Sequence, residues 1–452
     1  MSDKISYVTK LGFGFFILFF AACASHTLES HSNDQPPRLL VLGIDGISYS
    51  TFKRLQEGGH FRQFSPVAPM VSSFPSTSDP NWDAIMGLAP EPGFTKSYFD
   101  PRPKTASGFG VEVGGLKDHV TVQPSYEKVM DFKMDGILEH LSTMIWTDTT
   151  ALYWLESLEK KFFEFRGRPT YFALIINSDI VSHTEGEEAV MKYLAKIEDR
   201  VDRIQKKYQE MYGRELEVVM VSDHGNAFFS PQDIPFEKQL SEMGWRLNST
   251  ISGPKDVGFY VPEILSFGAF YCRPASVRDL AMSLAKVSHI HTTMFALSDS
   301  EIIIFGQKGL FEGKVTVDET KGTIDYHVVK GADPLEQIKY FRKGPLKFSD
   351  YFQLSSDDKY PYAVARIWEG FNKNSQVKPH ILANAELGYV FGNKALRLLT
   401  NIRGFASAHG SLHRDETLGI FVSTGGPLPT IRPQDFKSFI KVPGGFSANI
   451  QH

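Results

Sequence analysis

Six side chains able to bind a divalent metal stand at or near the ends of apolar runs: Asp45, Asp179, His183, Asp223, His224 and His409. The clearest case is Val218-Val219-Met220-Val221, which stops abruptly at Ser222-Asp223-His224-Gly225. A short apolar, β-branched run closed by a glycine reads as a buried parallel strand. In open α/β sheets, chemistry sits just past the carboxyl ends of such strands. Carboxylate and imidazole without thiolate suit Zn²⁺ or Mn²⁺. Six ligands exceed what one tetrahedral ion needs, so two ions sharing them fit better. Two such ions about 4 Å apart polarise a phosphoryl group, activate an oxygen nucleophile and stabilise the leaving oxygen.

A hydroxyl-rich turn adds a candidate nucleophile. Pro75-Ser76-Thr77-Ser78-Asp79-Pro80-Asn81 precedes a short helix predicted over Trp82–Met86. A hydroxyl at a helix N-terminus lies beside free backbone N–H groups and the positive end of the helix dipole, a natural anion site. Ser78 and Thr77 are the candidates there.

Strands and helices must bring these segments together. Leu39–Gly43 reads as the first strand and ends at Asp45; Tyr171–Ile176 ends near Asp179 and His183; Glu217–Val221 ends at Asp223; Leu418–Val422 follows His409. Between them, Glu187–Tyr212 carries Val190, Leu194, Ile197, Val201, Ile204, Tyr208 and Met211 at three- and four-residue spacing, the pattern of a crossover helix. Further helical pattern lies in Gly136–Phe163. Apolar runs alternating with helices predict an α/β fold with a mostly parallel central sheet covered on both faces. Residues 231–393 differ: strands at Gly268–Tyr271 and Glu301–Phe305, a helix over Ser276–Val287 and a hairpin from Gly313 to Val328 read as an inserted cap between core segments 38–230 and 394–452.

The chain has 452 residues and a formal net charge of -4, with 42% hydrophobic residues, so it can bury a sizeable core. No basic stripe or aromatic-basic patch points to nucleic acid. The N-terminus reads as a targeting segment over residues 1–22: Lys4 and Lys10 precede the apolar Leu11–Phe20, which is too short to span a bilayer comfortably. Ala21-Ala22-Cys23 resembles a bacterial lipobox, with Phe20 where that pattern usually has Leu. That predicts a lipid-modified Cys23, a flexible tether to Pro37 and an extracytoplasmic protein held to a bilayer by its acyl chains. With Cys23 acylated no intramolecular disulfide is possible, and Cys272 is expected to be a buried small hydrophobe.

The ordered set of motifs resembles the alkaline phosphatase superfamily, and most its type I phosphodiesterase/nucleotide pyrophosphatase branch. The matching residues are Asp45 at a strand end, Ser78 in Ser78-Asp79-Pro80-Asn81, Asp179 with His183, Asp223-His224-Gly225, and His409-Gly410, spread from about residue 38 to 425. The resemblance implies an alkaline-phosphatase-like fold and a hydrolase of phosphodiesters or phosphomonoesters acting on a small molecule. It implies one ion on Asp179, His183 and His409, a second on Asp45, Asp223, His224 and the Ser78 oxygen, and a phosphoseryl intermediate at Ser78. Only Ser78, not Thr77, keeps the family's register. A phosphotransferase using the same site and a catalytically silent, ligand-binding lipoprotein are the alternatives.

This chain departs from the family twice. Relatives that hydrolyse nucleotides often place an aromatic residue after the nucleophile; here Asp79 offers no stacking face and would repel a second phosphate. Lys96, in Gly93–Pro101, stands where the branch has an Asn that holds a phosphoryl oxygen, and would add positive charge beside the transferring group. The sulfatase turn is excluded because Ser78–Trp82 lacks its Arg. His289 and His291 share strand-like spacing without a partner motif, His413 is a candidate to order His409, and Trp368, Phe371, Tyr389 and Phe391 are expected to pack a core.

Overall fold

A computed structural model describes residues 36–95, 97–100, 119–121, 124–133, 147–248, 250–259, 265–392 and 404–440. Residues 1–35, which include the expected targeting segment and Cys23, and Lys96 lie outside the described residues. No helix among the described residues is long and apolar enough to cross a membrane.

The protein is mixed α/β. Its site is built on a five-stranded sheet of β1 (Leu39–Ile44), β2 (Ala68–Val71), β3 (Thr170–Ile175), β4 (Glu217–Val221) and β5 (Leu418–Ser423), in the order β2-β5-β4-β1-β3. β1 pairs in parallel with both β3 and β4. β5 runs antiparallel to both β4 and β2, so it opposes the other four strands. This corrects the expectation that Leu418–Val422 continues a parallel sheet. A continuous apolar run reports burial on two faces and carries no information about direction.

Alternation along β1 divides two cores. Leu40, Leu42 and Ile44 pack with helices α1 (Tyr49–Glu57), α3 (Thr147–Glu164) and α5 (Glu187–Tyr212). Val41 packs on the opposite face with Trp82, Ile85, Phe172, Leu174, Val219 and Val221. Val190, Leu194, Ile197, Val201, Ile204 and Tyr208 form the buried stripe of α5, whereas Met211, expected on that stripe, is exposed in the last turn; the helix ends at Tyr212 as expected, capped by Gly213 in the left-handed conformation (φ 64°). Of Gly136–Phe163, residues 134–146 lie outside the described residues, and the remainder falls in α3.

A second, nine-stranded sheet has Arg246–Leu247 and Leu346–Lys347 at its edges and Ile381–Ala385 inside it, and is antiparallel except for the pair at the Arg246–Leu247 edge. It contains the strand Phe267–Tyr271, the strand Glu301–Gly306 and the hairpin of Glu312–Asp318 with Thr323–Lys330. Its apolar core extends beyond the 231–393 segment: Val71, Phe74, Leu412 and Leu418 belong to the same buried cluster. Trp368, Phe371 and Phe391 are buried in that cluster, with Tyr389 packed against it.

Candidate metal centre

All six predicted ligands meet at one edge of the five-stranded sheet. Asp45 follows β1, Asp179 and His183 lie on α4 (Asn177–Glu185) just after β3, and Asp223 and His224 follow β4. The reversed direction of β5 explains how His409 joins them. A residue that precedes a parallel strand would sit at the far edge, but the amino end of β5 lies beside the carboxyl end of β4. Backbone of the second sheet holds the His409 segment there: the Ser266 N–H donates to the His409 carbonyl at 2.8 Å.

The side chains sort into two groups, Asp179 with His183 and His409, and Asp45 with Asp223 and His224. Ligands around a tetrahedral zinc at about 2.0–2.1 Å lie roughly 3.4 Å apart. Here His183 Nε2 is 3.3 Å and His409 Nε2 4.0 Å from Asp179 Oδ2. In the other group His224 Nε2 is 3.3 Å from Asp223 Oδ2 and 3.6 Å from Asp45 Oδ1. The His224 and His409 rings stack with centroids 4.0 Å apart, so the two groups adjoin.

Every imidazole is turned by a backbone carbonyl. His183 Nδ1 donates to Ser407 O (3.0 Å), His409 Nδ1 to Ser76 O (2.8 Å) and His224 Nδ1 to Gly225 O (3.0 Å). Each bond fixes the proton on Nδ1 and leaves the Nε2 lone pair facing the carboxylates, the orientation metal-ligating histidines adopt. Asn226 does the same for Asp179. Its Nδ2 donates to Asp179 Oδ1 at 2.7 Å and to Gly46 O at 2.9 Å, and its Oδ1 accepts from Ser407 Oγ at 3.3 Å. Gly46 is required at φ 66°, and a Cβ there would lie 2.3 Å from Asp179 Oδ1. Its N–H donates to Asp223 Oδ1 at 3.2 Å.

The electrostatics are those of a site short of positive charge. Asp45, Asp223, His224 and His409 are buried, and the only ion-pair partners of the three aspartates among the described residues are the three histidines. Burial, reinforced by the charges of Asp223 and Asp179, holds the Asp45 carboxyl well above its usual range. Burial also raises Asp223, against the pull of His224. Burial acts on Asp179 in the same sense, but His183, His409 and His224 together outweigh it and lower its pKa. Burial, then His224, keeps His409 neutral and able to ligate. Asp223 Oδ2 has no hydrogen-bond partner. Three clustered carboxylates, an orphaned buried oxygen and three presented lone pairs fit divalent cations bound at both groups.

Ser78 lies against the second group. Its hydroxyl donates to Asp45 Oδ1 at 3.2 Å and lies 3.3 Å from His224 Nε2. The helix expected from Trp82 starts earlier: α2 spans Ser78–Ile85, placing Ser78 in its first turn and Thr77 at its cap. Asn81 closes the turn, accepting from Ser73 N (2.7 Å) and donating to Thr77 O (2.7 Å). Trp82 Nε1 reaches Asp45 Oδ2 at 3.4 Å. That approach depends on Gly43, where a Cβ would lie 2.7 Å from the indole.

The remaining candidates are placed elsewhere. Thr77 Oγ1 donates to Phe94 O at 2.9 Å. Asp79 is buried and accepts from Tyr126 OH at 3.1 Å, so its carboxylate is engaged beneath the turn. His289 pairs with Glu386 and stacks on Tyr389, His291 contacts Tyr360 and Asn384, and neither belongs to a ligand group. His413, a candidate to order His409, instead caps a short helix by accepting from Asp415 N at 3.4 Å. Cys272 is buried and its thiol is pushed up to about 12 by burial. Asn226, Ser407 and Ser76 escaped the sequence reading. Asn226, next to Asp223-His224-Gly225, and Ser76, in the turn before Ser78, stand beside motifs that were read.

No protein-family model matches the chain, and no curated protein sequence matches it.

Proposed function

We propose that this protein is a two-metal phosphohydrolase with Ser78 as its nucleophile, related to the alkaline phosphatase superfamily. The observation that carries the reading is the placement of Ser78 Oγ within hydrogen-bonding distance of Asp45 and His224, beside a second ligand group of Asp179, His183 and His409. Bound divalent ions at these two groups would supply Lewis-acid stabilisation of phosphoryl charge and of an oxygen nucleophile.

The chain's own residues do the rest. Ser78 Oγ attacks phosphorus in line, the bond from phosphorus to the leaving oxygen breaks, and the phosphoryl group stays on serine. Water then cleaves the phosphoserine and releases the phosphate or phosphomonoester. Backbone N–H groups in the first turn of α2 face the nucleophile's end of the helix, where they favour negative charge. The carbonyls of Ser407, Ser76 and Gly225 keep the three imidazoles in one tautomer through the cycle. An acylated Cys23 would hold the enzyme on the outer side of a bacterial membrane.

Purified protein lacking residues 1–23, assayed with a chromogenic phosphodiester and the matching monoester, tests the reading. Turnover of either that needs added Zn²⁺ or Mn²⁺, and that Ser78→Ala reduces by at least about 10³-fold with no change in thermal unfolding, is the expected result. Undiminished turnover in Ser78→Ala contradicts the nucleophile; no turnover of either substrate in metal-loaded wild type contradicts the activity.

A further inference from the structure

Arg366 is an unusual residue to find in a core. It lies on α6 (Ala363–Asn372), within the segment inserted before β5, and is only 1% exposed. No carboxylate forms an ion pair with it among the described residues. Its guanidinium instead donates to four neutral acceptors: Nη2 to Ser73 O (2.9 Å) and Ser76 Oγ (2.8 Å), and Nη1 to Pro361 O (3.2 Å) and Leu412 O (3.3 Å). Nε has no partner. Burying a charge on neutral acceptors, with the Glu369 carboxylate acting only from beyond ion-pair distance, carries a desolvation cost that a Met or Leu of similar volume would avoid. The position therefore calls for something other than packing.

The four acceptors show what it does. Ser73 and Ser76 belong to the loop that leads into α2 and Ser78, and Leu412 belongs to the segment just after His409. Ser76 is where these two segments meet. Its N–H donates to Gly410 O (3.2 Å), its hydroxyl approaches Ser411 O (2.9 Å), and its carbonyl takes the His409 Nδ1 proton (2.8 Å). Arg366 and His409 thus hold one residue from two sides, two positions before the proposed nucleophile. A planar guanidinium has donors on two separate nitrogens and can clamp two segments at a fixed spacing; a lysine ammonium is a single point.

We infer that Arg366 is a positioning residue that sets His409, and with it the Asp179–His183–His409 ligand group, relative to Ser78. The inserted segment then contributes to metal binding without supplying a ligand. The inference rests on the two-metal reading of the site.

Calorimetric titration of metal-depleted protein with Zn²⁺ tests it, using wild type, Arg366→Lys, and Ser76→Ala, which removes one of the four acceptors, the hydroxyl that joins Arg366 to this residue, without moving a charge and leaves the carbonyl that holds His409. His183→Ala and His224→Ala identify which binding event belongs to which ligand group. Arg366→Lys should weaken the His409-containing site by about 10–100-fold, the usual effect of removing an outer partner, and change the Asp45–Asp223–His224 site by less than about twofold. Ser76→Ala should shift the same site in the same direction, and it decides the matter should Arg366→Lys fail to fold. Equal weakening of both sites would mean general loosening and would overturn the inference, as would unchanged affinity at both. Wild type that binds no Zn²⁺ would instead overturn the two-metal reading, an outcome read before any variant is compared.

Discussion

At the scale of single residues, the three histidines have a shared arrangement: Nδ1 to a backbone carbonyl, Nε2 toward carboxylate. Asn226 completes it by holding Asp179 Oδ1 and Gly46 O together. Asn226→Ala is therefore expected to weaken Zn²⁺ binding at the Asp179 group by about 10–100-fold in a calorimetric titration, with the Asp223 group unaffected. Equal affinities in wild type and variant would remove Asn226 from the site. The six ligand types were legible in the sequence because each ends or flanks an apolar run. Their orienting partners were not. A carbonyl is present at every residue, so the carbonyls of Ser76, Gly225 and Ser407 leave no mark in residue identity. Asp79 shows the converse: its type suggested a repulsive charge facing substrate, and its burial against Tyr126 follows from packing alone.

At the scale of elements, α2 links Ser78 to the core through Trp82 and Ile85. Pro80 is tolerated there because a first-turn N–H has no intrahelical partner to lose. One turn on, Asp83 is 1% exposed, and its carboxylate has only weak contacts from the backbone of Tyr126 and Glu91. Burial, then Glu91 and Asp79, pushes its pKa from 3.8 to about 8. The sign follows from linkage. Below the unfolded value both states are protonated and Asp83 costs nothing. Between the two values the unfolded chain ionises while the folded protein keeps its proton, so stability falls as pH rises. Asp83→Asn should therefore match wild type near pH 4 and exceed it by about 3–5 kcal/mol near pH 8, measured by urea unfolding. A pH-independent difference would show that Asp83 does not titrate in that range. Four strands of the central sheet were legible to within a residue or so, whereas β2 went unread and the direction of β5 was not legible. Direction depends on which sheet edge the preceding chain arrives at, and that path runs through the second sheet.

At the scale of the molecule, residues 231–393 share one apolar core with the loop before Ser78 and the segment after His409. Phe74 is fully buried in the core of the second sheet, although it belongs to the loop before Ser78. Phe74→Ala should cost about 3–5 kcal/mol and leave a single calorimetric unfolding transition. Two separated transitions would mean that the sheets fold as independent units. The most direct test of the proposed two-metal site is a count of bound ions. Metal-depleted protein, reloaded with Zn²⁺ or Mn²⁺ and freed of excess, should hold two ions per chain by elemental analysis, and one in either His183→Ala or His224→Ala. Wild type that retains none or only one, or variants that retain both, would contradict it.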